Sequence, residues 1–397
     1  MEVLHHLRAL LHLTAILLGI RGFQVDMPYA PRRLRSVLVT AFAAISLLTL
    51  GALHTARAQS PRTDTRTDTR TAARWPVRSR EHVDLWLHGF AMISSDSSQI
   101  PIFAPTYRTA LTVAKHSANI FSELDANHES LAKRLHDNPS LLAAQFLPLY
   151  FGSWAEMESA LDLFVKSDGN PRAAKTEASA EVMAFLASTF RSTEDRDFAR
   201  RFLAGLRSER DLFFHSWWLA ETKKRDQLFE VVDSLWQNVQ RPALQPFLNH
   251  TQLGDGELML SPSLDAEGRT VNEGKKMNRV AVGFPESREH ATDVLFAFAH
   301  EAVSSLTTAS VDDNTTPAEK RSGAAAKLQS TASVRGGAML VGKISPELAP
   351  KYAAFYLRAA GVAPGTDVMA TFAKTFPLPA EMLASIERQI AIAFGGI

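Results

Sequence analysis

Between Gly254 and Pro285 the chain changes character, and that change most constrains its fold. Gly254-Asp-Gly256, Glu267-Gly268 and Asn272-Glu-Gly274 are turn signals, while Glu257-Leu-Met-Leu-Ser261 and Arg279-Val-Ala-Val-Gly-Phe284 are short apolar runs of strand length. Apolar residues on either side recur at the three-to-four-residue spacing of amphipathic helices. A few strands between two long helical stretches predict an α+β protein that is mainly α, with a small sheet or ribbon.

Helix boundaries can be read from their caps. Val83, Trp86, Leu87 and Phe90 mark an early helix; Asn138-Pro139 pairs a cap with a first-turn proline; Ser153-Trp-Ala-Glu156 has the capping-box pattern; Gly169-Asn-Pro171 ends that helix. Two long patterns follow, Thr193 to Arg207 and Arg210 to about Gln240. On the second, Leu212, Phe213, Ser216, Trp217, Leu219 and Ala220 form a broad apolar side that is expected in the core. Later helices are expected near Pro317, behind Thr316, and near Pro346, behind Ser345, the latter stopping around Gly361; a last one ends near Phe394.

The amino-terminal region reads as an export signal. Arg32, Arg33 and Arg35 precede an apolar run from Val37 to Leu50, and Ala56-Arg57-Ala58 is a small-x-small cleavage site. The run is shorter than the ~20 residues that span a bilayer, so cleavage after Ala58 is expected, and Met27 is read as the true start. Residues 1–58 are thus a signal region and 59–74, a polar Thr-Asp-Thr-Arg repeat, a disordered linker. The rest divides into a helical subdomain, 75–250, and a β-plus-helical subdomain, 251–397, packed on it. Secreted or periplasmic location follows, with no membrane contact after cleavage. Cysteine is absent, so a chain with 46% hydrophobic residues must rely on its core rather than on disulfides. With 43 basic and 42 acidic residues interspersed, nothing favours nucleic acid.

Within the carboxyl-terminal part, one helix expected from about Ser287 to Thr308 carries His300 and Glu301 in an otherwise small and apolar stretch. A buried carboxylate needs a metal, a cation or hydrogen-bond donors. His-Glu is the first half of His-Glu-x-x-His, in which two histidines one helical turn apart grip Zn²⁺ and the glutamate activates a metal-bound water. With a strand leading into this helix, residues 279–343 resemble a gluzincin-type metallopeptidase, here a degenerate, exported bacterial relative. The resemblance maps the first metal ligand to His300 and the general base to Glu301. It maps the second ligand to Ser304, a poor zinc ligand, and the helix expected to supply the third, Ala324 to Lys343, has no carboxylate. Asp312 and Asp313 are weaker substitute ligands, at the place where the helix gives way to a polar loop. Arg335, among small residues that permit close approach, is the candidate counter-charge for Glu301. A second cluster, His82, Asp84 and His88, offers donors on the early helix.

These residues imply a zincin-like protein that holds less than one zinc per chain, is non-catalytic or weakly catalytic, and binds a peptide or protein in its cleft. Two alternatives compete: an active metal-dependent hydrolase with unusual ligands, and a helical scaffold in which His300-Glu301 is coincidental. No nucleotide-binding glycine pattern or serine-hydrolase elbow appears.

Overall fold

The computed structural model describes residues 75–95, 99–272 and 278–395. The expected signal region, 1–58, and the expected linker, 59–74, lie outside the described residues. The helical first part comprises β1 (Val77–Arg78), α1 (Glu81–Ile93), α2 (Pro105–Ser117), α3 (Glu123–Asp137), a 3₁₀ segment (Pro139–Tyr150), α4 (Trp154–Lys166), α5 (Glu177–Thr189) and α6 (Thr193–Glu209). A π-helical turn, Arg210–Phe214, leads into α7 (His215–Lys224); α8 (Asp226–Leu235), a second π turn, Trp236–Gln240, and α9 (Arg241–His250) follow. Then come β2 (Gly256–Ser261), β3 (Arg269–Asn272) and β4 (Asn278–Gly283). The carboxyl-terminal helices are α10 (Asp293–Ala302), α11 (Ser304–Asp313), α12 (Pro317–Ser322), α13 (Ala324–Ile344), α14 (Ala349–Ala359), α15 (Val368–Thr375) and α16 (Ala380–Ala393). The chain is therefore α+β and mainly α.

The sheet runs β1-β2-β4-β3, with β1, β2 and β4 parallel and β3 antiparallel at the end. Both of its faces are covered. Leu258, Leu260, Val280 and Val282 enter one core with Phe298, Val334, Leu340 and Tyr352, while Met259, Ala281 and Val271 enter another with Trp86, Phe90, Phe202 and Leu206. Double coverage explains why β2 and β4 read as nearly continuous apolar runs rather than as an alternation. Trp75 and α8–α9 contribute Val232, Trp236, Leu244 and Phe247 to the first core, so the helical run that leaves α6 ties the two layers together.

Several expectations need correction. β1 and β3 were not anticipated, because two and four residues are too few to display a periodicity. Asn138 does cap, but the segment behind it is 3₁₀ rather than α and contains Pro148, whose missing N–H suits no α-helical interior. Ser153 caps Glu156 N–H, yet the Glu156 carboxylate accepts from Gly152 N–H, one residue beyond the box.

The apolar side expected on the Arg210–Gln240 pattern is not core at Leu212 and Leu219, which are 55% and 51% exposed; Phe213 is buried as expected, and Phe214 beside it is buried as well. The reason is the π turn at Arg210–Phe214, whose extra residue rotates every later side chain relative to a regular helix. The helix expected from Ser287 to Thr308 is likewise two helices, α10 and α11, which meet at a bend of 43° around Val303. The Ser304 carbonyl there accepts hydroxyl bonds from Thr307 and Thr308, a back-bonding that competes with the helical ladder and bends helices. Among the described residues no single helix is long and apolar enough to cross a membrane.

Candidate functional site

His300 and Glu301 occupy the last turn of α10, where it packs against β4 and α13. The cross-strand register brings Thr270 opposite Val280, on the α10 side of the sheet. Its hydroxyl donates to Glu301 Oε2 at 2.7 Å, and the backbone N–H of Gly268 donates to Oε1 at 3.1 Å. His300 Nδ1 lies 3.0 Å from the same Oε1; because an ionised carboxylate can only accept, Nδ1 carries the proton. The ring of His300 stacks on Tyr356 with centroids 5.7 Å apart.

Two glycines allow this assembly. A Cβ on Gly268 would stand 2.7 Å from Glu301 Cγ and 2.6 Å from the Ala281 carbonyl, so only glycine lets the main chain come this near the carboxylate. A Cβ on Gly337 of α13 would lie 2.1 Å from the Tyr352 hydroxyl and 3.2 Å from His300 N. Tyr352 donates to the Val334 carbonyl, and Tyr356 to the Ala266 carbonyl just ahead of β3.

Electrostatically the carboxylate is well supplied. Burial pushes the Glu301 carboxyl up, but the His300 and Thr270 bonds and the nearby Arg269 charge outweigh burial and hold it below the usual glutamate range. It is therefore an ionised, multiply hydrogen-bonded group. The pair is also enclosed: His300 is 7% exposed and the Glu301 side chain 9%.

The other predicted site residues are not gathered here. Ser304 opens α11 beyond the bend, so it does not stand one regular helical turn above His300. Asp312 is at the far end of α11, paired with Lys320 at 2.7 Å, and Asp313 ends that helix exposed to solvent. The α11 helix continues through both aspartates, where a polar loop was expected. Arg335 does not serve as the counter-charge: its Nη1 donates to the Phe376 carbonyl at 3.2 Å and its guanidinium lies over the Phe372 ring. The physical reason is its position on α13, which turns it toward Phe372 of α15 and Phe376 at that helix's end. No group of three or more histidine, aspartate or glutamate residues that could hold a metal is found among the described residues.

The early cluster separates in the same way. His82 Nε2 bonds the Phe151 carbonyl, Asp84 Oδ2 accepts from Trp218 Nε1 at 2.7 Å, and His88 reaches Glu209 Oε1 at 3.2 Å and the Tyr107 hydroxyl at 3.1 Å. Sequence reading missed Glu209 altogether. It is fully buried, pairs with Lys115 Nζ at 2.6 Å and also accepts from Ser122 Oγ. Its signal was available: Phe198, Phe202, Leu206 and Glu209 follow one helical stripe, and a carboxylate on an apolar stripe requires partners.

Comparisons with family models, with curated proteins and with solved structures return no match.

Proposed function

We propose that this chain is an exported, zincin-like protein that does not cleave peptides, in which Glu301 ties helix α10 to strand β3 and an extended peptide adds along the outer edge of β3. The observation that carries this reading is the commitment of both carboxylate oxygens, Oε1 to Gly268 N–H and His300 and Oε2 to Thr270. A general base must offer an oxygen to the proton it removes, and here the oxygens are engaged by main chain and side chains of the fold. The second support is topological. β3 ends the described sheet, with β4 as its neighbour, and a strand edge is a ready template for an added strand.

The test is metal content and peptidase activity of protein purified without chelator or nickel, together with amide exchange at Arg269–Asn272 in the presence of peptides selected for binding. Well under one zinc per chain, no chelator-sensitive cleavage and slowed exchange in β3 are expected. One tightly held Zn²⁺ lost in His300→Ala would instead establish the metal-dependent hydrolase. Failure of every selected peptide to protect β3 would leave the unrelated helical scaffold as the better reading.

A further inference from the structure

The three parallel strands send their carboxyl ends to one recess. Ser79 follows β1, Pro262 follows β2 and Phe284 follows β4, and all three line it. The carboxyl edge of parallel strands is the usual place for ligands in open sheets with helices on both faces. The remaining wall is Asp84 from α1 and Trp218, Glu221, Thr222 and Arg225 from α7 and its end. The free space measures about 10 Å³, close to the least that accommodates one water-sized group.

Charge decides what such a group can be. Asp84 is 1% exposed and accepts from Trp218 Nε1 and, at 3.4 Å, from Ser79 Oγ. Glu221 stands on the rim with Arg225 bonded to its Oε1 at 3.0 Å and Lys224 3.3 Å from its Oε2. The Arg225 guanidinium also lies over the Phe284 ring, 5.0 Å from its centroid. An anion would meet two carboxyl groups; a small cation would find the same two carboxyls as acceptors and an indole, beside the Arg225 guanidinium that pairs with Glu221. Burial lifts the Asp84 carboxyl to about 7, since the bonds from Trp218, Ser261 and Ser79 and the Arg225 charge do not make up the lost hydration. A carboxyl in that condition gains most from an added positive partner.

We propose that this recess binds the ammonium head of a primary amine, with Asp84 and Glu221 accepting its N–H bonds and the Trp218 indole against it. A compact head with three donors matches both the volume and the acceptors, and the lysine side chain and the peptide amino terminus share that chemistry. The site is separate from β3 and from Glu301, so it stands or falls independently of the peptide reading.

The test follows the Trp218 indole N–H resonance of the whole exported protein during titration with methylammonium. A saturable shift is expected, weakened about tenfold or more in Asp84→Asn and in Glu221→Gln, as loss of a charge-assisted bond implies. Tetramethylammonium, too large for the recess, should produce none. Glycinamide and N-acetyl-lysine methylamide then show whether an amino terminus or a side chain enters. Absence of a saturable methylammonium shift, an equal response to tetramethylammonium, or unchanged affinity in a folded variant would overturn the proposal. Should Asp84→Asn fail to fold, Glu221→Gln, on the rim, provides the same comparison.

Discussion

Thr270 donates its hydroxyl hydrogen to Oε2 of Glu301 at 2.7 Å, and with the Gly268 N–H on Oε1 this carboxylate joins an edge strand to a helix end. Glu301→Gln should destabilise the protein by about 1–3 kcal/mol and Thr270→Val by about 1 kcal/mol, with less than additive loss in the double variant. The pH dependence has a definite sign. The folded carboxyl lies below its reference value of 4.5, so its contribution is complete above that value and is lost as pH falls through the lower, folded value. Urea midpoints of wild type and Glu301→Gln should differ by a constant amount from pH 6 to 8 and converge in acid. A gap that widens in acid would contradict this.

Arg335 and Glu301 should be energetically independent. The guanidinium donates to the Phe376 carbonyl and lies over Phe372, both remote in sequence from β3. Arg335→Met combined with Glu301→Gln is expected to give the sum of the two single losses within about 0.5 kcal/mol. Recovery of stability in the double variant would mean that the two charges sense each other.

Lys115, 5% exposed at its side chain, sits between Glu209 and Asp125 at 2.6 Å from each. Glu209→Gln should cost about 3 kcal/mol, the lower end of what breaking a buried pair costs, because Asp125 still faces the ammonium. Lys115→Met added to that variant should recover part of the loss. Burial opposes ionisation of Glu209, but His88, Lys115 and Ser122 together bring its carboxyl to about 2. The stabilisation is therefore full above about 4.5 and disappears only as pH falls toward 2. Thermal melts of wild type and Glu209→Gln at pH 5 and pH 2.5 check it: the separation should be large at the first and reduced at the second.

The contrast between the legible and the hidden parts has a common cause. β2 and β4 could be seen because each is a six-residue strand bounded by glycine turns, and the caps at Ser153 and Thr316 act within four residues. What stayed hidden depends on partners far along the chain or on one inserted residue. β1 is two residues that are a strand only because Leu258 lies beside Val77. The π turn at Arg210–Phe214 leaves no mark on an apolar pattern, yet it exposes Leu212 and Leu219. Of the site, His300 and Glu301 were found where a sequence motif marks them; their true partners, Gly268 and Thr270, are more than thirty positions away.

Asp84 behaves in the opposite sense to Glu209. Its folded value of about 7 lies above the reference value of 3.8, so the native state holds the extra proton between these values and the fold loses stability as pH rises through that window. Asp84→Asn cannot ionise and escapes this loss. Relative to wild type, the variant should therefore gain stability between pH 5 and pH 8, by up to about 3 kcal/mol on the scale of 1.36 kcal/mol per pH unit. Denaturant titrations at the two pH values decide the point, and a variant whose deficit is the same at both would show that Asp84 is ionised throughout.

The bend at Val303 makes one further prediction, aimed at the missing half of the zinc signature. In a continuous helix, positions 300 and 304 would stand one turn apart on the same face, and Ser304→His would place two imidazoles where a metal could bridge them. Here α10 ends at Ala302 and α11 starts at Ser304 after a 43° change of direction, while the Ser304 carbonyl is held by two threonine hydroxyls. His300 Nδ1 is in addition bound to Glu301. Ser304→His should therefore not produce micromolar Zn²⁺ or Co²⁺ binding, measured by calorimetry or by the visible spectrum of cobalt. Adding Thr307→Ala and Thr308→Ala to Ser304→His removes the two hydroxyl bonds to the Ser304 carbonyl, the back-bonding that bends helices. If the bend alone withholds the site, metal affinity should rise in that triple variant and not in Ser304→His; equal affinity in the two would show that something other than the helix break keeps the metal out.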